Sequence, residues 1–466
     1  MPRAAPWALP CRFEHADQIA RPAQQSSRAA PRGVGESEEV MVLQEDQQVE
    51  EIVARVAALD IGKAELVCCV RVPHPTRPGK RMQEVVTYRT MTRSLLVMAD
   101  RLAGLGVSEV VMEATSDYWK PPYYLLEARG LNPKLVNARD VKHLPGRPKT
   151  DKLDAVWLAK LAKLAERGML RPSFVPPPEI RRLRDVTRYR ADLVEVRTAE
   201  KQRVEKLLED AQIKLSVVAS DIFGASGRDM LAALIAGTRD PKVLAALARG
   251  RMRAKLTDLE EAFTGYFTDH HARLLTTMLA RIDGLSADIA ELEVMIEGMV
   301  APFTDAVAKL DEIPGIGRVA ASAILAEIGL DMSRFPTDGH LCAWARFAPG
   351  TKESAGKKKG AGSTGHGNRY LAKVIGEAVA GAAKTDTFLG ERYRRLARRR
   401  GGKKAMVAVG RSMLVIIWHL LSDPDARFVD LGSDFHAKRT DPDRRRRAHV
   451  HQLEALGYTV TLTPAA

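Results

Sequence analysis

Cysteine is scarce in this chain. Cys11, the adjacent Cys68 and Cys69, and Cys342 are the full set, and no two of them stand at CxxC spacing. That excludes a thiolate zinc site and a disulfide framework as the basis of the fold. With no signal peptide either, a reducing cytoplasm is the expected location. Long apolar runs are also missing. None approaches the roughly 20 residues that span a bilayer. The most apolar stretch, Met413 to Leu421, is short, is interrupted by Trp418 and His419, and reads as a buried helix. No membrane partner is expected. Acidic charge is in deficit: 58 Asp and Glu against 72 Lys and Arg leave a formal net charge of +14. Such an excess favours a polyanionic partner, nucleic acid being the usual one. Charge for solubility and charge for a membrane surface are the alternatives. Clustering of the basic residues speaks against the first, and the lack of a basic amphipathic anchor against the second.

What is present suffices for two or three folded domains: 466 residues, of which 45% are hydrophobic. Residues 1–50 are rich in Pro, Ala, Arg, Ser and Gln without periodicity, and are either a disordered arm or sequence upstream of a start at Met41. Residues 51–171 read as one α/β domain. Val56 to Val70 is expected to form two strands joined at Gly62, with a third strand at Val85 to Tyr88 and a helix from Ser94 to Leu105. A strand follows at Val107 to Ala114, then a helix through Tyr123 to Arg129 and a strand at Asn132 to Asn137. A helix containing Asp151 to Glu166 closes the domain. Three strands, a helix, then alternating strands and helices is the order of an RNase H-like (RuvC-like) fold, although alternation alone fits many α/β folds.

Prolines at 172 and 176–178 break the chain there. Residues 172–302 read as a long helical or coiled-coil arm. Leu183, Val186, Leu193, Val196, Val204, Leu207 and Leu208 form one apolar stripe, and Ile282, Leu285, Ile289, Leu292, Ile296 and Met299 recur at heptad spacing on a return helix. An antiparallel dimerisation arm and a bundle within one subunit are both open. The segment between them, near Gly224 to Thr268, reads as a helical insertion and carries no motif. Residues 303–422 form a third, mostly α domain, and 423–466 a basic flexible tail with Arg444 to Arg447 in a row.

Four carboxylates carry chemical information. Asp60 interrupts the apolar strand VAALDIGKAEL, where an isolated charge would be costly to bury. Glu113 ends the apolar strand VVMEAT. Asp151 and Asp154, at i and i+3, share one face near a helix N-terminus. Together they can converge at a sheet edge and hold divalent cations, Mg2+ or Mn2+, on a phosphodiester. Taken singly, Asp151 and Asp154 also read as helix caps and Glu113 as a surface carboxylate.

The segments LDIGK, VVMEAT and GRPKTDKLDAVWLAKL resemble the catalytic blocks of DEDD transposases, the insertion-sequence transposases of the "one-ten" family. IPGIGRVAASAILAEIG and FAPGTKESAGKKKGAGSTGHGNRYL are similar to that family's C-terminal domain. The resemblance spans roughly Ala57 to Ser422. It implies excision and insertion of an insertion sequence, with Asp60, Glu113, Asp151 and Asp154 as a metal-binding tetrad. It further implies Ser354 as a nucleophile forming a transient phosphoserine link to DNA, a structured guide RNA, and assembly as a dimer or tetramer. One departure is Ala372 after GNRYL, where the family often has a basic residue, with Lys373 next.

Read from the residues alone, IPGIG between two helices is the pattern of a helix-hairpin-helix, with Gly315 and Gly317 bringing backbone amides to a phosphate. A plain helix turn is the alternative. The loop GTKESAGKKKGAGSTGHG is flexible and phosphate-friendly, with Lys357, Lys358 and Lys359 as cations, and Ser363 and Thr364 compete with Ser354 as nucleophiles. His366 is the histidine placed to assist. Arg369 of GNRYL and Arg394, Arg395, Arg398 and Arg399 of a basic helix are expected to meet phosphates, a solvated charged face being the alternative. The working expectation is a cytoplasmic, nucleoid-associated DNA recombinase. A Holliday-junction-type endonuclease would share the acidic residues without needing Ser354, and a non-catalytic nucleic-acid-binding protein would need neither.

Overall fold

The computed structural model describes residues 53–114, 116–137, 161–165, 170, 172–350, 353–354, 356–358, 362–439 and 442–463. The chain divides into two compact units, Met1–Val175 and Pro176–Ala466.

The first unit is built on a five-stranded mixed sheet, formed by Val56–Ile61 (β1), Glu65–Pro73 (β2), Arg81–Arg89 (β3), Glu109–Glu113 (β4) and Asn132–Val136 (β5). The spatial order is β3-β2-β1-β4-β5. β1, β2 and β3 run antiparallel, and β4 and β5 are parallel to β1. Central β1 and β4 are apolar on both faces because both faces are covered, whereas edge strand β3 alternates. Helices Thr92–Gly104 (α1) and Lys120–Ala128 (α2) cover one face, packing Leu95, Met98, Leu102 and Leu126 on Leu59, Leu66 and Val110. Pro121 and Pro122 start α2, where missing amide donors cost nothing. On the other face Ala58 and Val111 pack against Leu161, Ala162 and Ala165 of helical residues 161–165. Each expected strand and helix within the described residues is present with shifted ends, β3 being longer than the apolar signal showed. The mixed sheet followed by a mostly helical remainder fits an RNase H-like N-terminal part.

The second unit opens with Pro178–Asp210 (α3), which returns along Asp269–Val300 (α8). Between them lie Leu215–Val218 (α4), Ala225–Ile235 (α5), Pro241–Ala246 (α6), a 3-10 turn at Gly250–Lys255 and Leu256–Ala262 (α7). The contacts Arg190 to Glu293, Arg197 to Ser286 and His271 to Asp210 show that α3 and α8 are antiparallel. On α8 the buried positions Ile282, Ile289 and Ile296 recur every seven residues, while Leu285, Leu292 and Met299 between them are half-buried. On α3 the stripe departs from expectation. Val196 is exposed, whereas Glu200 is only 2% exposed. The reason is electrostatic: Glu200 accepts from Arg203 at 2.6 Å and faces Arg281 of α8 at 3.9 Å, so the carboxylate is buried with partners.

The helical pair ends in two separate cores. At one end Val204, Leu208, Leu231, Leu244, Leu259 and Leu275 enclose the α4–α7 insertion. At the other, Leu183, Ile296 and Val300 join the C-terminal helices. Those are Thr304–Asp311 (α9), Arg318–Ile328 (α10), Asp338–Trp344 (α11), Arg369–Ala382 (α12), Phe388–Arg400 (α13) and Gly402–Ser422 (α14). Helix α14 is long and apolar enough by composition to cross a membrane, but Val409, Met413, Leu414 and Ile417 are buried in this core.

The first part of the tail makes contacts with the C-terminal helices. Lys309 is buried and donates to the carbonyls of Leu420, Asp423 and Pro424 at 3.3, 2.9 and 2.5 Å. Asp430 accepts from the amide of Phe388, and Phe435 and His436 pack on the Phe388 ring. Residues 423–439 are therefore anchored by aromatic and ionic contacts too sparse to register as an apolar pattern. Phe435–Arg439 (α15) and Pro442–Ala455 (α16) follow as helices.

Candidate functional site

Asp60 and Glu113 occupy the carboxyl ends of two neighbouring parallel strands. The β1–β4 register pairs Ala58 with Val111 and Leu59 with Met112, so the next step sets Asp60 beside Glu113. Side chains alternate along strands, and both acids therefore lie on the face of Ala58 and Val111, the one that residues 161–165 cover. Glu113 is buried and Asp60 partly exposed. The carboxyl edge of a parallel sheet is where open α/β sheets bind ligands, and two adjacent carboxylates there supply the hard oxygen donors a divalent cation takes. Asp151 and Asp154 lie outside the described residues, and among the described residues no group of three or more metal-ligating side chains forms. Glu109, on the same face at the opposite end of β4, is committed elsewhere, accepting from Lys134 at 2.5 Å.

The serine loop is a pinched tongue. At its base Gly367 abuts Arg346: a Cβ on Gly367 would lie 2.7 Å from Arg346 Cγ, and Arg346 itself has φ +62°. Further out, a Cβ on Gly362 would come 2.4 Å from the Gly350 carbonyl. Beyond these closures Glu353–Ser354 (β6) pairs with Lys357–Lys358 (β7), Glu353 opposite Lys358 and Ser354 opposite Lys357. Gly356, between the two short strands, has φ +71°. Lys359 lies outside the described residues. Ser363 accepts from the Gly365 amide at 3.2 Å, and His366 is exposed just before the base of the tongue.

Sequence reasoning passed over the cluster that holds this tongue. Asn368 caps α12, accepting from the amides of Tyr370 and Leu371, and its Nδ2 donates to Glu327. Glu327, 2% exposed on α10, also takes two hydrogen bonds from Arg188 of α3, at 2.7 and 2.8 Å. Arg184 donates to the backbone carbonyls of Ala326 and Glu327. Burial works against the Arg188 charge, yet the hydrogen bonds and charge of Glu327 outweigh it and raise its pKa. Arg188 and Arg369 stack on the Tyr370 ring, at 4.8 and 4.5 Å, and the Tyr370 hydroxyl donates to Asp192. Arg369 also reaches Asp192 at 3.1 Å, and Lys373 pairs with Glu195 at 2.8 Å, holding that carboxyl below its usual range. The available signal was Glu327 itself, a lone carboxylate inside the apolar helix ASAILAEIG.

Gly315 and Gly317 play different parts. Gly315 has φ +89°, and a Cβ there would stand 2.1 Å from the carbonyl of Ala378 on α12, so this glycine seats the hairpin on a helix. Gly317 precedes α10 in extended backbone, and a Cβ there would meet only the Asp311 carboxylate, at 3.9 Å, an ordinary contact. On α13, Arg394 donates to the carbonyls of Ala383 and Thr385 and Arg395 contacts His436, so both guanidinium groups are engaged in packing. Arg398, Arg399 and Arg400 remain exposed.

A transposase profile of the DEDD type matches residues 57–213, and a second, for the transposase IS116/IS110/IS902 family, matches 307–394. The transposase for insertion sequence element IS1111A of Coxiella burnetii is 24% identical over 345 residues, 73% of this chain and 84% of that protein. An uncharacterized protein of insertion element IS110 from Streptomyces coelicolor is 29% identical over 115 residues, 24% of this chain and 28% of that one. The first profile covers the sheet with its strand-end acids, and the second covers the glycine hairpin and the whole serine tongue. The chain belongs to the IS110-type family of DEDD transposases, and is a DNA-processing enzyme.

Proposed function

We propose that this transposase excises and inserts its element with two sets of groups: Asp60, Glu113, Asp151 and Asp154, which hold divalent metal, and Ser354, which attacks DNA phosphate. The observation that supports the reading is the β1–β4 register, whose last pair, Leu59 with Met112, immediately precedes Asp60 and Glu113 on their two strands. Their all-oxygen donor set suits Mg2+ or Mn2+ better than a softer ion. When bound, such an ion supplies Lewis-acid stabilisation of the phosphate. Ser354 forms a bond to phosphorus as a strand oxygen departs, leaving a phosphoserine link that a DNA hydroxyl later displaces. Lys357, opposite Ser354 in the hairpin, supplies positive charge where the phosphorane gains negative charge.

DNA is the substrate. The IPGIG segment serves as a helix-hairpin-helix that holds DNA backbone, with Gly317 as the less crowded of its two glycines, and Arg369, Arg398 and Arg399 add phosphate contacts. The family resemblance supports a structured guide RNA, and the α3–α8 pair serves as the arm through which subunits assemble as a dimer or tetramer. Acting on chromosomal DNA, the enzyme works in the cytoplasm alongside the nucleoid.

The test is cleavage of the element junction with Mg2+, comparing wild type with Ser354→Ala, followed by denaturing electrophoresis for a protein–DNA adduct. An adduct that disappears with the substitution supports the serine route. Cleavage that survives it, with no adduct at any time, makes water the nucleophile and the enzyme a RuvC-like structure-specific endonuclease in its chemistry.

A further inference from the structure

The α4–α7 insertion, at the end of the helical pair remote from the serine tongue, bears a concentrated positive surface. From Arg239 to Lys255 the chain carries six basic side chains, at 239, 242, 249, 251, 253 and 255, and one acid, Asp240. Asp240 is committed as a helix cap, its Oδ1 accepting from the Lys242 amide at 2.9 Å. Arg249 is neutralised by Asp229, and Arg239 faces Asp269 at 3.7 Å. Lys242, Arg251, Arg253 and Lys255 have no described carboxylate within ion-pair distance, and all four are exposed.

These charges are held in place. None of Gly250–Lys255 is buried, and Met252 anchors the turn by packing on the small core. Arg253 Nε donates to the Ala248 carbonyl at 3.2 Å, and Lys255 Nζ to that of Val218 at 2.8 Å. Each bond orients its cation and leaves further donor hydrogens to solvent. Structure has been built around a row of uncompensated positive charge, a costly arrangement unless an anion spans it.

We infer that this knob is a second DNA-binding surface, gripping the phosphate backbone through Lys242, Arg251, Arg253 and Lys255. Length supports the assignment. Leu183 lies in the C-terminal core and Leu207 in the knob's core, on one continuous helix. At about 1.5 Å per residue the two cores stand roughly 35 Å apart, close to one turn of duplex, about 34–36 Å. A duplex held at the C-terminal core and running along the arm meets the knob about ten base pairs away. The contacts are to phosphates only, so the knob adds affinity and register without sequence preference.

The inference rests on the protein's being a transposase and on no assignment of Ser354 or of metal ligands, because the test reads binding alone. Equilibrium binding of a 40-base-pair DNA duplex is measured between 50 and 200 mM salt for wild type, for the fourfold variant Lys242→Ala, Arg251→Ala, Arg253→Ala and Lys255→Ala, and for the charge-retaining pair Arg251→Lys, Arg253→Lys. Each lost phosphate contact reduces the slope of log K against log salt by about 0.9. Four contacts therefore reduce it by roughly 3 to 4, so that wild-type affinity falls about 10²-fold more across that range than the variant's. The lysine pair should keep the wild-type slope. An unchanged slope in the fourfold variant, with its helical content intact, overturns the proposal. So does a slope that changes for duplex RNA but not for DNA.

Discussion

Arg188→Ala should unlock the base of the serine tongue, and the structure indicates by how much. The guanidinium gives two charged hydrogen bonds to Glu327, at 2.7 and 2.8 Å, and the receiving carboxylate is 2% exposed. Removing one member of a buried pair typically costs about 3–5 kcal/mol, because the partner is left charged without compensation. Here Arg184 stays 3.5 Å from Glu327 and Asn368 still donates to it. The Arg188 side chain is itself 35% exposed, so part of the pairing energy is screened. Loss of its stacking on Tyr370 adds about 0.5–1 kcal/mol. The expected cost is about 3 kcal/mol. Urea unfolding followed by far-UV circular dichroism measures it, since almost all the helix among the described residues lies in the unit that contains the pair. A double-mutant cycle with Glu327→Gln should return a coupling of about 2 kcal/mol. Lys373→Ala, which breaks a solvent-exposed pair on the same helix face, should leave the midpoint unmoved. A coupling below about 0.5 kcal/mol would show that Glu327 is satisfied without Arg188 and refute the reasoning.

Gly315→Ala meets both a left-handed φ and the Ala378 carbonyl, so a loss of about 3–5 kcal/mol, or failure to accumulate, is expected. Gly317→Ala should fold within about 1 kcal/mol of wild type and weaken DNA binding, and normal binding would count against a phosphate contact at that turn. Asp60→Asn and Glu113→Gln should each slow junction cleavage by at least about 10²-fold without unfolding the sheet, as should metal removal by chelation, restored by Mg2+. Burial pushes the Cys68 thiol up to about 12, with Cys69 and Glu84 adding to the shift and Arg101 opposing it, and burial pushes Cys342 to about 11. Because the folded state favours the protonated thiols, this contribution to stability is complete below pH 9 and fades as pH rises through 11 and 12. In a Cys11→Ser background, alkylation at pH 8–9 should therefore await unfolding, and fast labelling of the native protein would contradict the burial.

The sheet was legible because its signals are local. Branched apolar strands, the Gly62 turn and two acids in apolar runs all sit within a few residues of one another. The tongue was legible only as composition. Its closure depends on Gly350 meeting Gly362 and Arg346 meeting Gly367, contacts across the loop that no periodicity encodes. The Glu327 cluster was harder still, since Arg188 and Glu327 are 139 residues apart in sequence. The exposure of Val196 and burial of Glu200 follow from what α8 presents opposite them, and a stripe read along one helix contains nothing of its partner. The basic row at the knob was present in the sequence, but its acids are spread over three elements, and only the fold shows which cations they neutralise.

The seven-residue recurrence of Ile282, Ile289 and Ile296 gives the arm a discrete set of permitted lengths. Seven residues added to α8 and seven to α3 would keep the isoleucines facing their partner and carry the knob outward by about 10 Å, some three base pairs of duplex. One or two residues would instead swing it about 100° or 200° around the axis and face the apolar stripe with solvent. The spacing of the two ends can therefore change among relatives in whole notches, and each notch would shift the DNA span by a quantised step.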